Sequence, residues 1–157
     1  MLSALLAYLA TPAIQAAVLV PGAISLAWLL RACWRRDTDP TIVWAWMLSV
    51  IVAYFASNWK VTDEMRQLFI IPAFLLLTAV FLYCRREISP AAAFSLTFLC
   101  CWLVDMLRAW ELVGIGEVPA SMFYHGVGGA GAGDGLFFFP LMAAFLVVYA
   151  KRRQQPA

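Results

Sequence analysis

Apolar residues fill five long runs along this chain, and polar residues gather in short clusters between them. The first run covers 2–30 and is interrupted by Pro12 and by Pro21-Gly22. As a straight helix it would measure about 43 Å, more than the ~30 Å hydrocarbon core of a bilayer requires. A kink at Pro21 is therefore expected, or first turns that lie outside the core. The second run, 41–59, follows a helix-start signature: Asp39 as cap and Pro40 at the first helical position, where its missing N–H costs nothing. The third covers 67–84, with Pro72 near its start. Ser89-Pro90 opens the fourth, which continues through about Gly114. The fifth, 136–150, makes only about 22 Å of helix. The uncharged stretch from Gly126 to Gly133 is expected to enter the membrane ahead of it, as helix or as re-entrant backbone, giving a span of about 127–150.

Composition supports this pattern. Of the 157 residues, 64% are hydrophobic and 13% charged, with a mean hydropathy of +0.84. Soluble domains run near 45–50% apolar and about 25% charged. So little charge excludes a soluble monomer and a disordered chain. The predicted fold class is an all-α polytopic integral membrane protein: a single transmembrane domain over 1–157 with about five helices, or four if the first run lies in the interface. The N-terminus lacks the basic region of a cleavable signal, and its apolar stretch is too long for one, so it reads as a retained first span.

Charge sets the orientation. Arg31, Arg35, Arg36, Arg85, Arg86, Lys151, Arg152 and Arg153 fall on one side of a five-span arrangement, against Lys60, Arg66 and Arg108 on the other. That bias places the N-terminus outside and the C-terminus in the cytoplasm. With Asp37, Asp39 and Glu87 inside and the other six acids outside or near it, the two sides carry +5 and −3, which together make the stated +2. Trp28, Trp34, Trp44, Trp46, Tyr83 and Tyr149 fall near inner boundaries, and Tyr54, Trp59 and Trp110 near outer ones, as aromatic belts do. The expected location is the inner membrane of a bacterium and the expected surroundings a lipid bilayer. The small net charge gives no reason to expect a nucleic-acid partner.

Candidate chemistry is sparse. Cys33, Cys84, Cys100 and Cys101 form no C-x-x-C pair and no metal-ligand spacing with His125, the one histidine. Nothing fixes His125, Glu117 and Asp134 as a metal site, and no cofactor is expected. The fourth run carries Asp105, Arg108 and Glu111 three residues apart, with Thr97 and Cys101 extending the same helical face. Each acid lies one turn from Arg108, so ion pairing is expected. The stripe serves either as an interfacial anchor or as a polar site that lines a path or binds a partner. Asp134, about 25 Å from the inner boundary if the segment is helical, would sit at the depth of Asp105. Six glycines, Gly126, Gly128, Gly129, Gly131, Gly133 and Gly135, suit close packing of backbones, and contact with the fourth span near Asp105 is expected. They form no phosphate loop, because no Lys-Ser/Thr follows.

The tetrapeptide Gly131-Ala132-Gly133-Asp134 resembles the GxGD motif of intramembrane aspartyl proteases and prepilin peptidases. That resemblance implies catalysis by a pair of carboxylates, Asp134 with Asp105, activating water. Val104 stands where presenilin-like enzymes carry tyrosine before the partner aspartate, and Leu136 where prepilin peptidases carry lysine. In size and in its Lys151-Arg152-Arg153 ending, the chain is similar to viral holins. Three functions follow as expectations: an oligomeric pore or transport-type protein, an accessory or assembly subunit of a larger membrane complex, and an intramembrane aspartyl protease.

Overall fold

The computed structural model of the chain describes residues 18–35, 40–61, 66–69, 73–83, 87–114 and 135–154. Among them are five helices: α1 (Val20–Arg35), α2 (Pro40–Ala56), α3 (Ala73–Tyr83), α4 (Pro90–Gly114) and α5 (Gly135–Gln154). Between α2 and α3 lies an antiparallel hairpin of β1 (Asn58–Val61) and β2 (Arg66–Phe69), with Asn58 opposite Phe69 and Val61 opposite Arg66.

Local chemistry explains where these elements begin. Ser89 caps α4: its hydroxyl accepts the Ala92 N–H at 3.0 Å and its carbonyl the Ala93 N–H at 2.9 Å. Pro90 takes the first helical position, where no N–H is needed. Pro21 lies in the first turn of α1 and is fully buried. A π-type turn at Val18-Leu19 leads into the helix. Pro140 lies inside α5.

Several expected boundaries change. Residues 2–17 of the first run and 127–134 of the fifth lie outside the described residues. The second run stops being helical at Ala56, and 58–59 enter the hairpin rather than the helix. The third run loses its first residues in the same way: 67–69 are strand, and α3 starts only at Ala73, directly after Pro72. Two helices, Pro90–Arg108 of α4 and Gly135–Arg153 of α5, are long and apolar enough to cross a membrane. Val20–Ala32, Pro40–Ala56 and Ala73–Tyr83 are apolar but shorter.

α4 is the axis of the bundle and packs against the other four helices; α3 also touches α2 and α5. α2 runs parallel to α4, since Trp46 donates its indole N–H to the Leu96 carbonyl at 3.0 Å, while Tyr54 and Ser57 meet Arg108 at the far end. The connections at 36–39 and 84–89 are short, so the last turns of α1 and α3 lie at the end where α2 and α4 begin. Leu136 clusters with Phe98 and Cys101, and Ala143 and Val147 with Ala92, Ala93 and Leu96, which sets α5 antiparallel to α4. The bundle therefore alternates in direction along the chain.

The bundle combines a partly small and hydroxylated interior with apolar outer faces. About half of its buried residues are small or hydroxylated: Ala53, Ala73, Ala92, Ala93, Ala143, Cys100 and Cys101, with Ser25, Ser49, Ser57, Thr78, Ser95 and Thr97; the largest fully buried side chains are Phe74, Phe98 and Leu136. Its outer faces also carry many large apolar residues. On α2, Trp44 is 69% and Phe55 76% exposed, with Met47, Leu48, Ile51 and Val52 between them. Soluble monomers rarely expose contiguous apolar surface beyond a few hundred Å². Small interior residues let helices approach closely: a Cβ on Gly22 of α1 would lie 3.7 Å from the Phe98 ring of α4.

Candidate functional site at the end of α4

Five of the polar residues singled out from the sequence lie on α4, and the helix carries them from the buried interior outward turn by turn. Thr97 is fully buried, Cys101 and Asp105 are buried, Arg108 is mostly buried and Glu111 is part-exposed. At four residues per step the first three are about 6 Å apart along the axis, so they form a row rather than one cluster. The Thr97 Oγ1, and the hydroxyls of Ser25 and Ser95, have no hydrogen-bond partner among the described residues. Cys100 and Cys101 are buried and unbridged.

The geometry is densest where the row reaches the end of α2. Arg108 Nη1 donates to Glu111 Oε2 at 2.7 Å. Its Nη2 donates to the backbone carbonyls of Tyr54 at 2.6 Å and Ser57 at 3.2 Å. The guanidinium lies 4.2 Å from the centre of the Tyr54 ring, and the Tyr54 hydroxyl closes the circuit by donating to the same Glu111 oxygen at 3.0 Å. The ion pair expected between Arg108 and Glu111 is thus present.

The carbonyls explain why the arginine reaches across. A helix leaves its last four C=O groups without partners, and its dipole makes that end partly negative. α2 has no basic residue in its last turn. Ser57 satisfies part of the need locally, through its own N–H and hydroxyl to the Ala53 carbonyl. Arg108 supplies a cation from another helix, and its planar fork serves a carboxylate and two carbonyls together. The Glu111 carboxyl is held below the usual carboxylate range, first by the Arg108 hydrogen bond and then by the Tyr54 hydroxyl. These α2 partners were not foreseen. The available signal was negative: an apolar helix ending without lysine, arginine or glycine needs its cap from elsewhere.

Asp134, His125, Glu117 and the glycines at 126, 128, 129, 131 and 133 lie outside the described residues, and so does the contact expected between the glycine segment and α4. Gly135 is the first residue of α5. A Cβ there would lie 2.8 Å from the Phe139 ring. The next residue, Leu136, clusters with Cys101, one turn from Asp105. Among the described residues no group of three or more His, Cys, Asp or Glu side chains is placed to hold a metal ion. No known protein family matches the chain, and no significant similarity links it to a curated protein or a solved structure.

Proposed function

We propose that this chain is a polytopic integral membrane protein of the transport type, in which the buried polar row of α4 is the working element. The observation that carries the membrane reading is the apolar exterior: large apolar residues cover α1, α2 and α5, while hydroxyls, a carboxylate and most of a guanidinium lie inside among apolar side chains. Water would penalise such a surface, whereas hydrocarbon suits it. The alternating helix directions fit five crossings with the N-terminus outside and the C-terminus in the cytoplasm, the orientation that the arginine and lysine bias favours. The location proposed is the inner membrane of a bacterium. The three shorter helices then cross where the bilayer thins or where α4 and α5 shield them.

The transport reading rests on Thr97, Cys101, Asp105, Arg108 and Glu111. A subunit with a purely structural role gains nothing from burying hydroxyls and a carboxylate along its central helix, because each unpartnered hydroxyl costs about 1–3 kcal/mol. Ionisable residues inside a membrane helix mark ion or proton pathways more often than packing. The path runs within one bundle, because α4 is enclosed by α1, α2, α3 and α5, and it serves a small cation or the proton, since Asp105 is the deepest described charge. Copies of the chain associate through their outer apolar faces.

The test is flux in proteoliposomes loaded with a pH-sensitive dye. Wild-type protein is expected to dissipate an imposed proton or potassium gradient, and Asp105→Asn to do so at least tenfold more slowly. Absence of flux under either gradient refutes transport, and co-purification with a larger complex would then make the chain an accessory subunit. Release of the protein from membranes by alkaline carbonate refutes the membrane reading itself.

A further inference from the structure

One end of the bundle gathers the last turns of α1, α3 and α5. Exposed there are Arg31 on α1, Tyr83 on α3, and Tyr149, Lys151, Arg152 and Arg153 on α5. Glu87 is an exposed acid at the same end. Along the free face of α5 the side chains change character in a definite order. Phe138, Leu141, Met142 and Phe145 are exposed and apolar; Tyr149 follows, stacked on Phe145 with ring centres 6.4 Å apart. Arg153 then lies 4.9 Å from the Tyr149 ring centre, flanked by Lys151 and Arg152 in the last turn. From Phe138 to Tyr149 the helix rises about 16 Å, the depth of one hydrocarbon leaflet.

We propose that this end of the bundle is a docking surface for acidic phospholipid headgroups. Lys151, Arg152 and Arg153 engage the phosphates, and the Tyr149–Arg153 pair marks the boundary between acyl chains and headgroups. The proposal rests on the membrane reading above and adds the class of lipid. Charge complementarity identifies the occupant. The negative end of the α5 dipole is complemented by one cation within the last turn, and two more remain to attract a negative surface. Apolar, amphipathic and basic groups follow one another in the order of a bilayer's own layers, which a water-soluble acidic partner would not require. Basic residues at an anionic leaflet each raise local affinity about fivefold, so three give a preference readable in a lipid-exchange experiment.

The experiment uses the full chain in nanodiscs of equal phosphatidylglycerol and phosphatidylcholine, with native mass spectrometry counting the lipids retained. Wild-type protein is expected to retain the acidic lipid at least fivefold over the zwitterionic one at low salt, less so at 0.5 M salt. The triple substitution K151Q/R152Q/R153Q is expected to retain the two equally, and Lys60→Gln, on the hairpin at the other end, to behave as wild type. Equal retention by wild type, or undiminished preference in the triple variant, overturns the proposal. Extraction by alkaline carbonate separates the two readings. A chain that stays in the membrane without lipid preference refutes only the headgroup site, and one that is released refutes the membrane reading as well.

Discussion

Arg108→Leu removes the cation that joins α4 to the end of α2, and the loss follows from its contacts. The short bonds to the Tyr54 carbonyl and to Glu111, at 2.6 and 2.7 Å, are of the charge-assisted kind, worth about 1.5–3 kcal/mol each when shielded. Glu111 is 42% exposed, so its ion pair belongs near the lower, solvent-screened limit of about 0–1 kcal/mol. The bond to Ser57 is longer, at 3.2 Å, and adds less. The stacked Tyr54 ring contributes about 0.5–1 kcal/mol. Against these stands about 2 kcal/mol of rotamer entropy that leucine does not forfeit. The net destabilisation is therefore about 2–3 kcal/mol, or a fall in Tm of about 5–10 °C at this chain length. The assay is thermal unfolding in detergent, with Lys60→Leu as a control expected within about 0.5 kcal/mol of wild type. Arg108→Lys should fall between them, because an ammonium cannot serve carboxylate and carbonyls in one plane. Faster amide exchange across Ser57–Val61 should accompany Arg108→Leu, since the capped carbonyls lead directly into β1. Equal melting of Arg108→Leu and Lys60→Leu would falsify the capping role.

Glu111, beyond the apolar Pro90–Arg108 segment, has a folded-state pKa below its unfolded value. Its contribution is present above the unfolded pKa of about 4.3 and is lost as pH falls through the folded pKa; Glu111→Gln should flatten the stability profile in that acidic range, and an unchanged profile would contradict the pairing. Trp46→Phe removes the indole donor to the Leu96 carbonyl and should cost about 1 kcal/mol in thermal unfolding, whereas Trp44→Phe, at an exposed position, should cost less; the reverse order would contradict the α2–α4 register. Gly22→Ala should be tolerated, because the added Cβ makes ordinary contact with Phe98 at 3.7 Å and gains helix propensity. Gly22→Leu should overpack the α1–α4 contact by about 1–3 kcal/mol, and a Leu variant as stable as the Ala variant would show that α1 does not bear on Phe98.

Much of the architecture was legible along the chain. The low charged fraction of 13% pointed to a helical, apolar chain, and each of the five helices described lies within one of the apolar runs or extends it by a few residues. The start of α4 was readable because Ser89-Pro90 is a local signal, complete within four residues. The polar face from Thr97 to Glu111 was equally readable, since helical spacing alone places it.

The other features depend on pairs of segments distant along the chain. Whether 58–61 and 66–69 continue their helices or pair as a hairpin turns on cross-strand hydrogen bonds, and apolar content is similar in both cases. Which faces of α2 and α5 point outward was equally open, because helices apolar all round have no polar side to orient them; packing on α4 decides it. The partners of Arg108 show the same division. Sequence spacing offered Asp105 and Glu111, each one turn away, and the Glu111 carboxylate meets the guanidinium at 2.7 Å. The Tyr54 and Ser57 carbonyls, more than fifty residues earlier, became ligands only because α2 runs parallel to α4 and ends level with Arg108. Side-chain spacing within a helix is set by covalent geometry and is carried by the sequence. The capping of one helix by another depends on where two axes come to rest, and tertiary packing alone sets that.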